Sequence, residues 1–205
     1  MNNRTLGILG LIGAPFLLID TANNGFTLNQ SSGISGLLNF LYTTGWMCSL
    51  IALNRMGAFG EKRFGKILFW VQMACLLLAD CWNIYEWIQP RAETTLYFIL
   101  DAFWPIGNLC MLVSGITIAA QGVLKGWRRY VPLAVGLWLP LGLVLWAIFS
   151  RTPGMLLIAG IYSALAWSLM AIGIITGADK AGEQQQPSSQ KGPAQVRPSL
   201  QETVY

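Results

Sequence analysis

The chain has no histidine among its 205 residues, and charged side chains make up only 11 % of it. Without an imidazole, structural zinc of the Cys/His kind, a histidine-held haem and a Cys–His nucleophile all lose a residue they need. Ser163 and Ser168 lack a histidine base, and neither HExxH nor a P-loop pattern occurs. Cysteine is sparse too: Cys48, Cys75, Cys81 and Cys110 fall inside apolar runs and never form CxxC, so they read as small buried side chains, with Cys81 set apart only by its neighbour Asp80. No lysine lies in the later apolar runs, and the runs number six rather than seven, which removes the usual reason to propose a retinal Schiff base.

The scarcity of charge defines the class. Hydrophobic residues make up 54 % of the chain, including nine tryptophans, too apolar a balance for an ordinary soluble domain. Crossing the hydrocarbon core takes roughly 20 apolar residues as a helix, and candidate spans occur at 5–22, 34–54, 67–87, 95–119, 131–150 and 154–176. The first is short before Asp20, but Pro15 is followed by FLLID rather than a small-residue cleavage signature, so it reads as a retained span. The runs stay apolar over about twice the length of a barrel strand, which favours helices. The predicted fold class is therefore all-α, a polytopic integral membrane bundle of six transmembrane helices over residues 1–176.

Basic residues predict the orientation. Arg4, Arg55, Lys62, Arg63, Lys66, Lys125, Arg128, Arg129, Lys180, Lys191 and Arg197 fall on one side of the alternating spans, and only Arg91 and Arg151 on the other. The positive-inside rule then puts both termini in the cytoplasm, of a plasma or inner membrane. The net charge of +4 sits where anionic lipid would be, so membrane lipids are the expected contact and nucleic acid need not be invoked. Residues 177–205, rich in Gln, Pro, Ser and Gly, lack the apolar surface to fold alone and read as a disordered cytoplasmic tail.

Short connections predict antiparallel neighbours in one bundle. The longest outer connection, TANNGFTLNQSSG, is polar and uncharged, an ordinary loop with a lid as the alternative. Gly7, Gly10 and Gly13, Gly45 with Ser49, and Gly115 with Ala119 mark places where helices can approach closely. Pro105 and Pro140 should each free a carbonyl and bend their spans. GWMC at 45–48 and GNLC at 107–110 are offset by 62, an echo that carries Arg63 onto Lys125 and is compatible with a duplicated helix pair. Several of the tryptophans fall at expected interfaces, while Trp70, Trp104 and Trp167 read as deeper.

One stretch stands out chemically, LLLADCWNIYEWIQP at 76–90, where acids enter an apolar run. Asp80, Asn83 and Trp87 are spaced i, i+3 and i+7 on the third span, and Asp101, Trp104 and Asn108 repeat that spacing on the fourth. If the two stripes face each other, they form an acidic pocket in the outer half of the membrane, with Gln72, Tyr42, Tyr162 and Ser163 as contributors to its walls. A carboxylate facing lipid is costly, and nothing basic lies at that depth in any span, so these acids must be protonated, hydrated, hydrogen-bonded, bound to a cation or reached by a rim arginine. Asp20, Asp80, Glu86, Glu93 and Asp101 against Arg91 and Arg151 leave the outer side negative, which attracts cations.

Three functional classes follow. The first is a non-enzymatic membrane component that associates with a lipid, a membrane-protein partner or further copies of itself, its acids being structural. The second is a cation- or proton-coupled carrier of a small solute, using the acidic pocket. The third is a membrane-embedded enzyme working through paired carboxylates. No cofactor motif is identified; a bound cation is compatible with the acids, and which metal, if any, stays open.

Overall fold

The structure is a computed structural model that describes residues 1–27, 32–90 and 94–184, with side chains as far as Ala178. Six stretches are long and apolar enough to cross a membrane: Asn3–Asn23, Gly33–Arg55, Arg63–Ile88, Thr95–Gln121, Val131–Phe149 and Pro153–Ala178. They coincide with the expected spans to within a few residues. The described residues are helical in these stretches apart from turns at 14–15 and 102, and contain no strand. Arg91 and Glu93, the centre of the TANNGFTLNQSSG loop, and the expected tail from 185 onward lie outside the described residues. The last helix continues past the expected boundary at 176 as far as Gln184.

Local chemistry explains where the helices start and break. Helix α1 (Asn3–Gly13) is capped by Asn2, whose side chain accepts from the Thr5 amide at 2.7 Å. Pro15 has no N–H to continue it, and the span resumes as α2 (Phe16–Asn23). Ser32 caps α3 (Gly33–Arg55), accepting from the Ser35 amide, and α4 (Arg63–Ile88) stops before Pro90. The fourth span is divided into α5 (Thr95–Asp101) and α6 (Phe103–Gln121). Pro105 accounts for that break, because the carbonyl it leaves without a donor is that of Asp101, four residues earlier. Pro140, in contrast, lies inside an uninterrupted α7 (Val131–Phe149), and α8 (Pro153–Gln184) completes the chain.

Each span packs on its neighbour in sequence, and α8 closes the ring against α1 and α2 while also touching α3. Close approaches occur where the glycines are. A Cβ on Gly13 would lie 2.8 Å from the Gly45 Cα, one on Gly10 would strike the Ser49 side chain, and one on Gly7 would meet Ile175 of α8. A Cβ on Gly136 would stand 2.4 Å from the Leu112 Cα, and one on Gly115 2.5 Å from the Leu133 Cα, so α6 and α7 are in backbone contact. The echoed glycines both sit at close contacts but with different partners, Gly45 against α1 and Gly107 against Leu76 of α4.

The interior of the ring is filled. Tyr42, Trp46 and Trp167 stack at centroid separations of 5.3–6.2 Å. Leu50, Met111, Ile118, Val135, Met170 and Ile174 pack below them towards the end that carries the basic loops.

Candidate functional site

Two buried carboxylates flank α3, one on each side. Asp20, near the end of α2, accepts from Asn24 Nδ2 and Asn39 Nδ2, each at 3.1 Å. Asp80, on α4, accepts from Asn83 Nδ2 at 3.0 Å and Thr44 Oγ1 at 3.2 Å. The two arrangements match in kind, since each acid takes one donor from its own helix, three or four residues on, and one from α3. Asn83 Nδ2 also donates to Thr43 Oγ1 at 3.3 Å, and Asn24 Nδ2 to Ser35 Oγ at 3.0 Å.

Helix α3 supplies the middle of this seam because Ser35, Asn39 and Thr43 recur every fourth residue and so lie along one stripe, with Thr44 beside it. Gly36 lets α4 come close enough to complete it: a Cβ there would lie 2.5 Å from the Trp87 amide nitrogen and 2.6 Å from the Asn83 carbonyl oxygen. Asp80 is 5 % exposed and Asn83 1 %, so the carboxylate is withdrawn from solvent, and its donors among the described residues are neutral. By a rise of 1.5 Å per residue, Asp80 lies roughly 12 Å below the Ile88 end of α4.

Asp101 has a different environment. It is exposed, at the α5–α6 break, roughly 9 Å along the span from Thr95. The stripes expected to face each other on spans three and four are not joined by their acids: Asp80 is buried and accepts from Thr44 of α3 and Asn83 of its own helix, while Asp101 is exposed. Spans three and four do pack together, but through other groups. Ser114 Oγ donates to Gln72 Oε1 at 2.6 Å, Gln72 Nε2 to Met111 Sδ at 3.2 Å, and Gly107 faces Leu76. Glu86 is buried and partnered, and this end of the bundle carries aromatic contacts, Trp82 and Tyr85 each against Tyr97.

The remaining expected contributors are dispersed. Asn108 is buried and donates to the Trp104 carbonyl of its own helix, leaving its Oδ1 without a partner. Trp104 stacks on Trp138 of α7. Tyr42 and Ser163 place their hydroxyls 3.5 Å apart in the core beside Trp46 and Trp167. Tyr162 donates to the Ala134 carbonyl between α8 and α7. Of the residues expected in the pocket, then, only Asp80 and Asn83 belong to the seam; Asp20, Asn24, Ser35, Asn39, Thr43 and Thr44 were not anticipated as its other members. The four-residue stripe of α3 was the signal that could have found three of them. Among the described residues no group of three His, Cys, Asp or Glu side chains is placed to hold a metal ion.

No family model, curated protein or solved structure matches this chain.

Proposed function

We propose that this is a non-enzymatic multi-pass membrane component that works by binding a membrane-protein partner along the outer face of its fourth span. The observation that carries this reading is Asp101. Span four is the least enclosed of the six, with 17 % of its apolar stretch buried, and it presents an exposed carboxylate at a helix break. A charged side chain at membrane depth is costly against lipid, about 2.5–3.5 kcal/mol at the centre of a span and less towards the rim. A partner helix offering a cation or an amide removes that cost. Asp20 and Asp80 already accept from donors within the bundle, one each from α3 and one each a turn further along their own segment.

The test uses native membranes. A photo-crosslinking residue in place of Phe98, one turn before Asp101 and exposed, should yield a discrete protein adduct that is reduced in Asp101→Asn. The same probe in place of Leu165, exposed on α8, should yield lipid adducts only. Lipid adducts alone from both positions would sink the reading.

A second reading, a cation- or proton-coupled carrier, draws on the neutral surroundings of the two seam acids. A carboxylate that accepts only from amides and hydroxyls is open to uptake of a proton or cation without displacing a basic partner. Melting of the purified protein across pH and across Na⁺, K⁺, Mg²⁺, Ca²⁺ and Zn²⁺ at matched ionic strength separates this reading from the first. Stabilisation by one ion, lost in folded Asp80→Asn or Asp20→Asn, supports a carrier; a flat profile removes it. The enzymatic reading needed Asp80 and Asp101 in one site, and nothing in their surroundings favours it.

A further inference from the structure

At the basic end, opposite the seam, an apolar cleft of about 10 Å³, room for no more than a water-sized group, lies between the end of α3, the α6–α7 connection and α8. Its walls include Leu53, Met56, Leu124, Val131 and Met170, and the one charged side chain lining it is Arg128. Arg128 has no hydrogen-bond or ion-pair partner among the described residues, whereas its neighbour Arg129 donates through Nε to the Ala119 carbonyl and lies over the Tyr130 ring.

The position of Arg128 is built into α8. A Cβ on Gly173 would lie 3.3 Å from Arg128 Cγ, and one on Gly177, a turn further on, would lie 2.7 Å from Arg128 Nη1 and 2.6 Å from Met56 Cε. The two glycines leave a bed along which the arginine stem lies, so that its methylenes continue the apolar wall and its guanidinium reaches the rim. Helix α7 starts beside it with no side-chain cap and no acidic residue in its first turn, so the positive end of that helix dipole adds to the same field. Trp127 and Tyr130, both about half exposed, flank the site as interfacial aromatics do.

We propose that an anionic phospholipid binds at the rim of this cleft, with its phosphate on the Arg128 guanidinium and an acyl chain against the half-exposed Trp127 ring, which lies beside Arg128 over Gly173. The planar fork of arginine suits a phosphate, and the half-exposed Trp127 ring beside it gains nothing from a soluble anion but is covered by an acyl chain. Lys62, Arg63, Lys66 and Lys125 at the same end raise the local concentration of anionic headgroups, while Arg128 supplies the specific contact. This site is separate from the outer face of span four and does not depend on the partner proposed there.

The full-length protein in neutral detergent is titrated with phosphatidylglycerol and with phosphatidylcholine of identical chains, and the melting shift is followed. The wild type should prefer the anionic lipid about five-fold, the effect expected of one basic residue at the surface. That preference should vanish in Arg128→Gln and in Gly177→Ala, which keeps the net charge but displaces the guanidinium, and should persist in Lys125→Gln. If Arg128→Gln does not fold, Gly177→Ala decides alone, and an unchanged preference in it overturns the proposal. Equal loss in Lys125→Gln would show diffuse charge instead of a site, and would also overturn it. So would stabilisation by glycerol phosphate as strong as that by the lipid, which would identify a soluble anion as the ligand.

Discussion

At the scale of single residues, the chemistry turns on whether a carboxylate finds its donors inside the bundle. Asp80 does, through Asn83 and Thr44. Replacing it with leucine should leave the Thr44 and Asn83 donors stranded at a helix contact and cost about 1–3 kcal/mol. Asp80→Asn keeps the shape and an accepting oxygen, and should cost less, about 1 kcal/mol, as interhelical hydrogen bonds in membranes typically do. Thermal unfolding in one detergent ranks the two, and equal stability of both variants with the wild type would remove Asp80 from the framework. The acids at 80 and 101 were legible in the sequence as unusual residues. Their separation was not, because helical spacing gives the relative angle of two residues on one helix and says nothing of which neighbour that face meets.

At the scale of elements, glycine and proline decide the contacts. Gly136 faces the Leu112 backbone so closely that even a methyl group must push α6 and α7 apart. Gly136→Ala should therefore destabilise by about 1–3 kcal/mol, the range expected of an overpacked contact. Gly154→Ala, at a glycine with open space around it, serves as the control in the same unfolding experiment. The contact between α4 and α6 can be read by a double-mutant cycle. Gln72→Leu and Ser114→Ala break the same 2.6 Å hydrogen bond, so their effects should be non-additive by about 0.6 kcal/mol, with an upper bound near 1.7. Strict additivity would mean that the bond adds nothing to the packing. The two prolines look alike in sequence, yet only Pro105 lies at a break between helices, whereas Pro140 is carried inside α7. That difference comes from how neighbouring helices hold each segment, which a single span does not encode.

At the scale of the whole molecule, the six spans pack as a ring of sequence neighbours closed by α8 against α1 and α2. The excess of lysine and arginine in the connections after spans two and four predicts that this end faces the cytoplasm. Cysteine scanning on a background without Cys48, Cys75, Cys81 and Cys110 checks it. In intact cells a membrane-impermeant maleimide should label Gln89→Cys, exposed just past the C-terminal end of α4, and spare Lys125→Cys until the membrane is opened. The reverse pattern would invert the molecule and move the lipid site to the other leaflet.

The sequence by itself determined the number of spans, their limits to within a few residues and some of the places of close helix approach, at Gly7, Gly10, Gly13, Gly45 and Gly115 but not at Gly36 or Gly136. Each of these follows from local quantities: apolar length against bilayer thickness, and the small side chains that let backbones meet. Only the tertiary structure decided which polar groups share a site. It set Asp20 and Asp80 on either side of α3, left Asp101 on the outside, and laid Arg128 along Gly173 and Gly177. Those pairings join residues tens of positions apart, and they are fixed by the rotation of each helix within the packed ring, to which every other helix contributes.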